Sequence, residues 1–105
     1  MDAGVKVLWV AALRSGTYTQ GRRRLFNPYS NTYCCLGVLC DIAEKYAGIR
    51  IKNNIRPNAP PEVIAWAGLN DAITGLLANM NDGIADYLGN PQTFSQIADY
   101  IEANL

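Results

Sequence analysis

Phe94, Ile97, Ala98, Ile101 and Leu105 recur at three- and four-residue spacing directly behind Thr93, and Gln96 stands three residues after that threonine. This spacing is one face of an α-helix, and Thr-x-x-Gln is the reciprocal cap that satisfies two free N–H groups at a helix start. A helix over 93–104 is therefore the firmest expectation. The same period returns in Val5, Leu8, Trp9, Ala12 and Leu13, with Gly16 as the stop, predicting a helix over 3–15. It returns again in Leu36, Leu39, Ile42, Ala43 and Tyr46, closed by Gly48, predicting one over 34–47. Pro61 at a first helical position and Gly68 as terminator bound a short third helix, with Glu62 at its positive end. Asn70 caps a segment in which Ile73, Leu76, Leu77 and Met80 share a face, and Asn81-Asp82-Gly83 reads as the turn that ends it. Gly75 weakens this helix by about 1 kcal/mol relative to alanine.

Between the first two helices the texture changes to Gly, Asn, Pro, Ser and Thr mixed with aromatics. There the runs Tyr18-Thr19-Gln20 and Asn31 to Cys35 can pair as short strands around a turn through Asn27, Pro28 and Asn31. Ile49 and Ile51, alternating with Arg50 and Lys52, read as a short edge strand. The fold class expected is thus mainly α: a compact single-domain helical bundle of about five short helices, spanning 1–105, with a small β-hairpin insertion. A chain of 105 residues has room for one such domain, and its 50% apolar content is enough to build a core. Trp9, Leu39, Ile42, Trp66, Phe94, Ile97 and Ile101 are the expected core.

No run approaches the roughly 18 apolar residues of a membrane span. The apolar start, Val5 to Leu13, fits a helical stripe better than a cleavable leader. The expectation is a soluble protein with no membrane contact, residing in the cytoplasm.

Net charge is zero, but residues 1–56 hold all nine basic side chains against three acidic ones, a net of +6, and residues 57–105 carry six acids and no base. The two halves either attract each other within the fold or present opposed faces that support a homo-oligomer. Cys34, Cys35 and Cys40 lie within seven residues, an odd set with no disulfide framework. With histidine and a second cysteine pair both absent, neither a structural zinc site nor a Cys–His nucleophile is expected, and the cysteines read as buried and reduced. Asp71, Asp82 and Asp86 read as caps and turns, since no Asp-x-Asp-x-Asp-Gly loop exists. No glycine-rich phosphate loop is present either. The expectation is a protein that is not an enzyme, with no catalytic residue, no cofactor and no metal.

The densest polar-aromatic stretch is 18–33. Guanidinium forks at Arg22, Arg23 and Arg24 can hold an anion, the faces of Tyr18, Phe26, Tyr29 and Tyr33 can stack on a base, and the amides of Gln20 and Asn27 can read base edges. The same mixture describes an ordinary solvated hairpin. Net neutrality disfavours duplex nucleic acid, whose binding rests on neutralising several phosphates.

The pattern Ala12-Leu13-Arg14-Ser15-Gly16, Tyr18, Gln20-Gly21, followed by the run from Tyr33 to Asp41, YCCLGVLCD, resembles small accessory proteins encoded by bacteriophages and prophages. Pro61-Glu62-Val63, Trp66, Gly68-Leu69, Asn81-Asp82 and the run Thr93 to Ile101 follow in the same order. The spacing from Gly83 to Gln92 is longer than in that pattern. The resemblance implies a phage provenance and, by analogy with how such proteins act, a role in the host bacterial cytoplasm against a host process, above all defence. Sequestering a nucleotide-type signalling molecule, or blocking a host protein, is the expected mode. The alternative is a structural or assembly protein that self-associates through its basic and acidic faces.

Overall fold

The computed structural model describes residues 1–51, 56–83 and 90–105. Five helices and one two-stranded hairpin follow in the order α1 (Ala3–Arg14), β1 (Phe26–Asn27), β2 (Thr32–Tyr33), α2 (Cys35–Ala47), α3 (Pro61–Ala67), α4 (Asp71–Asp82) and α5 (Phe94–Asn104). The fold is mainly α, as its periodicity predicts.

Each helix starts and stops where local chemistry dictates. Asp2 accepts from the Val5 N–H at 2.9 Å, Asn70 from Ile73 at 2.9 Å, and Thr93 and Gln96 close the reciprocal cap of α5. Gly48, Gly68 and Gly83 end α2, α3 and α4 in the left-handed conformation. Behind Gly48 the Ile49 N–H folds back onto the Ala43 carbonyl at 3.2 Å, six residues earlier. That wrap explains why residues 49–51 form no strand: the first N–H an edge strand would offer already serves the helix cap, and Ile49 packs on the core. The expected strand's remaining residue, Lys52, lies outside the described residues, as does most of the long spacing between Gly83 and Gln92.

α2 is the central element. Cys35 to Cys40 are all buried, and α1, α3 and α4 pack around it, while α5 packs along α1. Trp9 is fully buried, and its indole N–H donates to the Cys35 carbonyl at 3.0 Å, so the largest side chain of α1 is also hydrogen-bonded to the first turn of α2. Leu39, Ile42, Phe94, Ile97 and Ile101 are in the core as expected; Trp66 is only partly buried. On a helix of seven residues Val63, Ile64 and Ala67 take the inward side, and at about 100° per residue position 66 falls on the rim. Leu25, Leu36, Val63, Leu77 and Met80 join the core instead.

The hairpin differs in its pairing from the expected one. Phe26 opposes Tyr33 and Asn27 opposes Thr32 in antiparallel register, while Gln20 meets Tyr33 through a parallel bridge. Tyr33 exchanges two backbone bonds with that earlier segment: its N–H donates to Thr19 at 2.8 Å and its carbonyl accepts from Gly21 at 2.7 Å. The expected Tyr18–Gln20 run therefore does pair, but on the other side of Tyr33. Asn31, at φ 54°, turns the connection. No helix among the described residues is long and apolar enough to cross a membrane.

The opposed charges of the two halves meet in part inside the molecule. Arg14 on α1 reaches Asp99 at 2.6 Å and Glu102 at 3.1 Å on α5, an exposed three-charge contact that salt will weaken.

Candidate functional site

The start of the segment 18–33 is fastened to the bundle by a buried side chain, Asn81, near the end of α4. Its Oδ1 accepts from Gln20 Nε2 at 2.9 Å and from the Cys35 N–H at 3.1 Å, and its Nδ2 donates to the Gly21 carbonyl at 2.8 Å and to Asp82 at 3.0 Å. Gln20 completes the clasp: Nε2 also donates to the Gln92 carbonyl at 2.8 Å, and Oε1 accepts from the Phe94 N–H at 3.2 Å. Asn81 and Gln20 thereby satisfy the free N–H groups at the first residues of α2 and α5, groups that no bond inside those helices can reach. Gln20, expected as a reader of base edges, has its amide committed to the fold.

The arginines are not gathered. Arg23 adopts φ 69°, and its backbone N–H donates to Asp82 at 2.9 Å; Arg24 Nε donates to the Phe26 carbonyl at 2.9 Å; Arg22 is exposed. A left-handed residue in the middle of the triplet turns the chain between Arg22 and Arg24. Tyr29 stands 95% exposed at the hairpin tip, where Asn27 Oδ1 accepts its N–H at 3.0 Å.

Three of the expected aromatics do come together. The rings of Tyr18 and Tyr33 meet edge to face with centroids 5.0 Å apart, and Phe26 lies 4.7 Å from Tyr33 in a tilted pair. The Tyr18 hydroxyl donates to Asp41 of α2, and Lys45, one turn on, closes an ion pair with the same carboxylate at 3.0 Å while lying 5.7 Å from the Tyr18 ring centroid. Partial burial, and then the Asp41 carboxylate, raise the Tyr18 hydroxyl's pKa, and the same two influences raise that of Tyr33. Lys45 is raised as well, first by its hydrogen bond to Asp41 and then by Tyr18.

Between this aromatic group and α2 lies a cleft of about 230 Å³. Phe26 and Tyr33 form one wall, Leu25, Gly37 and Cys40 the floor, and Asp41 and Glu44 the rim on the helix side. Ile51 closes one end. The size suits a single planar ring, below the range of about 300–1,000 Å³ typical of drug-sized ligands. Asp41, Glu44, Lys45 and Ile51 are absent from the residues expected on sequence grounds, although the Asp41 to Lys45 spacing of four is a readable signal of an ion pair on one helix face.

The full span of residues 1–105 matches the model of a family described as a domain of unknown function, DUF8296. The chain belongs to that family. No curated protein and no solved structure matches it.

The three cysteines of this DUF8296 member are free and buried. Burial pushes the Cys34 thiol up to about 11 and Cys40 up to about 12, and drives Cys35 well above the ordinary range. Cys34 serves as the cap of α2, its sulfur accepting the Gly37 N–H at 3.4 Å, and the Cys35 thiol donates to the Leu77 carbonyl at 3.5 Å. Thiolate is thus disfavoured in the fold, and a thiol-specific disulfide reagent at pH 8 should label the native protein at the rate of global opening, and the unfolded chain at once. Because the folded thiols bind their protons more tightly than unfolded ones, the stability they confer is intact below about pH 8.5 and falls as pH rises towards 11–12. Rapid labelling of one cysteine in the native state would contradict this placement.

Proposed function

We propose that this protein is a non-enzymatic binding protein that takes up a nucleotide-type small molecule through the cleft between the hairpin and α2. The observation that carries the reading is the arrangement of that cleft: an aromatic wall, Phe26 and Tyr33, faces a helix that presents the exposed Glu44 carboxylate, beside an Asp41 already paired with Tyr18 and Lys45, over an apolar floor. An aromatic wall stacks on the face of a base, and a carboxylate accepts from an exocyclic amine. The sequence pattern shared with phage accessory proteins supplies the setting, in which sequestering a signalling nucleotide would counter host defence.

The test is calorimetric titration with adenosine, guanosine, cytidine and uridine. One of them, with an amine donor, is expected to bind. Phe26→Ala should weaken it about tenfold or more, since one base stacked on an aromatic ring is worth roughly 1–3 kcal/mol. Glu44→Gln, at an exposed position, should weaken it while leaving the circular dichroism unchanged. Replacing Arg22, Arg23 and Arg24 together by alanine should leave nucleoside binding intact. Loss of binding in that triple variant, with Phe26→Ala unaffected, would move the site to the arginine loop and refute the cleft.

A further inference from the structure

Ile51 lines two clefts at once. The second cleft, of about 430 Å³, is bounded, among the described residues, by Arg50, Arg56 and Glu62, with Ile49, Pro60 and Pro61 as its apolar surface. The two lobes are also tied through the backbone, because the Leu25 N–H from the floor of the first donates to the Arg56 carbonyl at 2.9 Å. Their chemistry is opposite. The first lobe presents carboxylates and aromatic faces, and the second presents two exposed guanidinium groups against a single carboxylate.

We infer that the second lobe is an anion subsite of the same ligand, so that the protein takes a nucleoside monophosphate with its base against Phe26 and Tyr33 and its phosphate between Arg50 and Arg56. This rests on the reading of the first lobe as a base site. Planar guanidinium forks match phosphate oxygens in geometry as well as charge. The charges impose the orientation: with Asp41 paired to Lys45, Glu44 leaves the first cleft net negative and would repel a phosphate, whereas beside Arg50 and Arg56 it meets net positive charge. Glu62 limits that charge, which favours one phosphate over a polyphosphate chain. The arginines doing this work are then Arg50 and Arg56, not the triplet at 22–24.

The experiment compares each of the four nucleosides with its 5′-monophosphate by calorimetry, in the wild-type chain and in Arg50→Gln/Arg56→Gln. The wild type should bind the monophosphate about tenfold or more tightly than the nucleoside, the increment of one or two charge-assisted hydrogen bonds. That gain should shrink at high salt and vanish in the double variant, with nucleoside affinity unchanged. Arg50→Lys/Arg56→Lys, which keeps both charges but not the forks, should recover part of the gain and guards against a folding defect in the glutamine variant. If the nucleoside binds but the phosphate adds nothing, the anion subsite is refuted while the base site stands. It is equally refuted if the gain persists in the double variant, or disappears only when Arg22, Arg23 and Arg24 are replaced. If neither nucleosides nor monophosphates bind, the base site itself fails, and the subsite with it.

Discussion

Asn81→Ala should destabilise the protein by about 3–5 kcal/mol, a large share of the 5–15 kcal/mol that holds a domain of this size together. The side chain is fully buried, and all four of its contacts go to groups brought in from elsewhere or from the adjacent residue. Its removal strands the Cys35 N–H and the Gly21 carbonyl and takes one of the Gln20 amide's three partners, in a site alanine cannot fill with anything polar. Each orphaned group costs roughly 1–3 kcal/mol. Thermal unfolding followed by circular dichroism should show the midpoint falling by roughly 15 °C or more. Asn81→Asp keeps the size and the accepting Oδ1 but turns a second oxygen towards the Gly21 carbonyl and Asp82, where the amide donates. It should be destabilising at neutral pH and partly recover at low pH, where a protonated acid can donate again. A loss below about 1 kcal/mol for the alanine variant would mean that segment 18–23 is held by something other than this amide.

Gly37→Ala should be comparably damaging, although it puts a better helix former in the first turn of α2. By intrinsic propensity the change favours the helix by about 1 kcal/mol. The added Cβ, however, would sit 1.8 Å from the Leu25 carbonyl oxygen, a backbone atom that cannot rotate away. Either Leu25 leaves the floor of the cleft or α2 shifts, and we expect about 3 kcal/mol or more of destabilisation together with loss of any ligand bound there. Gly75→Ala in α4 provides the contrast. A Cβ there meets nothing within 4 Å, so the same chemical change should stabilise by about 0.5–1 kcal/mol. If chemical denaturation ranks the two variants alike, the close approach of the Leu25 carbonyl to α2 is not what the glycine serves.

These two sites also mark where reading the sequence stops working. Helix ends were legible because a cap is a local transaction: Thr93 and Gln96, or Asn70 and Ile73, lie three residues apart. Asn81 carries the same local signature, an Asn-Asp-Gly turn, yet its role is set by Gln20, Gly21 and Cys35, 46 to 61 residues away. Nothing in the neighbourhood of Asn81 signals those partners. Gln20 was expected to read a ligand for the same reason, as an amide among aromatics, and only the tertiary fold shows its bonds to Asn81 and Phe94. Within 18–33 the aromatic residues could be picked by type, but their sorting could not. Tyr18, Phe26 and Tyr33 converge because two backbone segments flank Tyr33, whereas the chain turns at a left-handed Arg23 inside the arginine triplet. The cleft's other half comes from α2, where Asp41 and Glu44 look like the solvent face of an ordinary amphipathic helix.

The pairing of α1 with α5 sets the timing of folding. Arg14 and its partners Asp99 and Glu102 are 85 and 88 residues apart, and the two helices share the largest interhelical contact in the bundle. At roughly 5–20 residues per second of synthesis, α1 waits about 4–17 s for the helix that covers it. During that interval Val5, Trp9 and Leu13 can be shielded only on the side that α2 supplies. A chain truncated before Phe94 should leave the flank of α1 that α5 covers open to solvent.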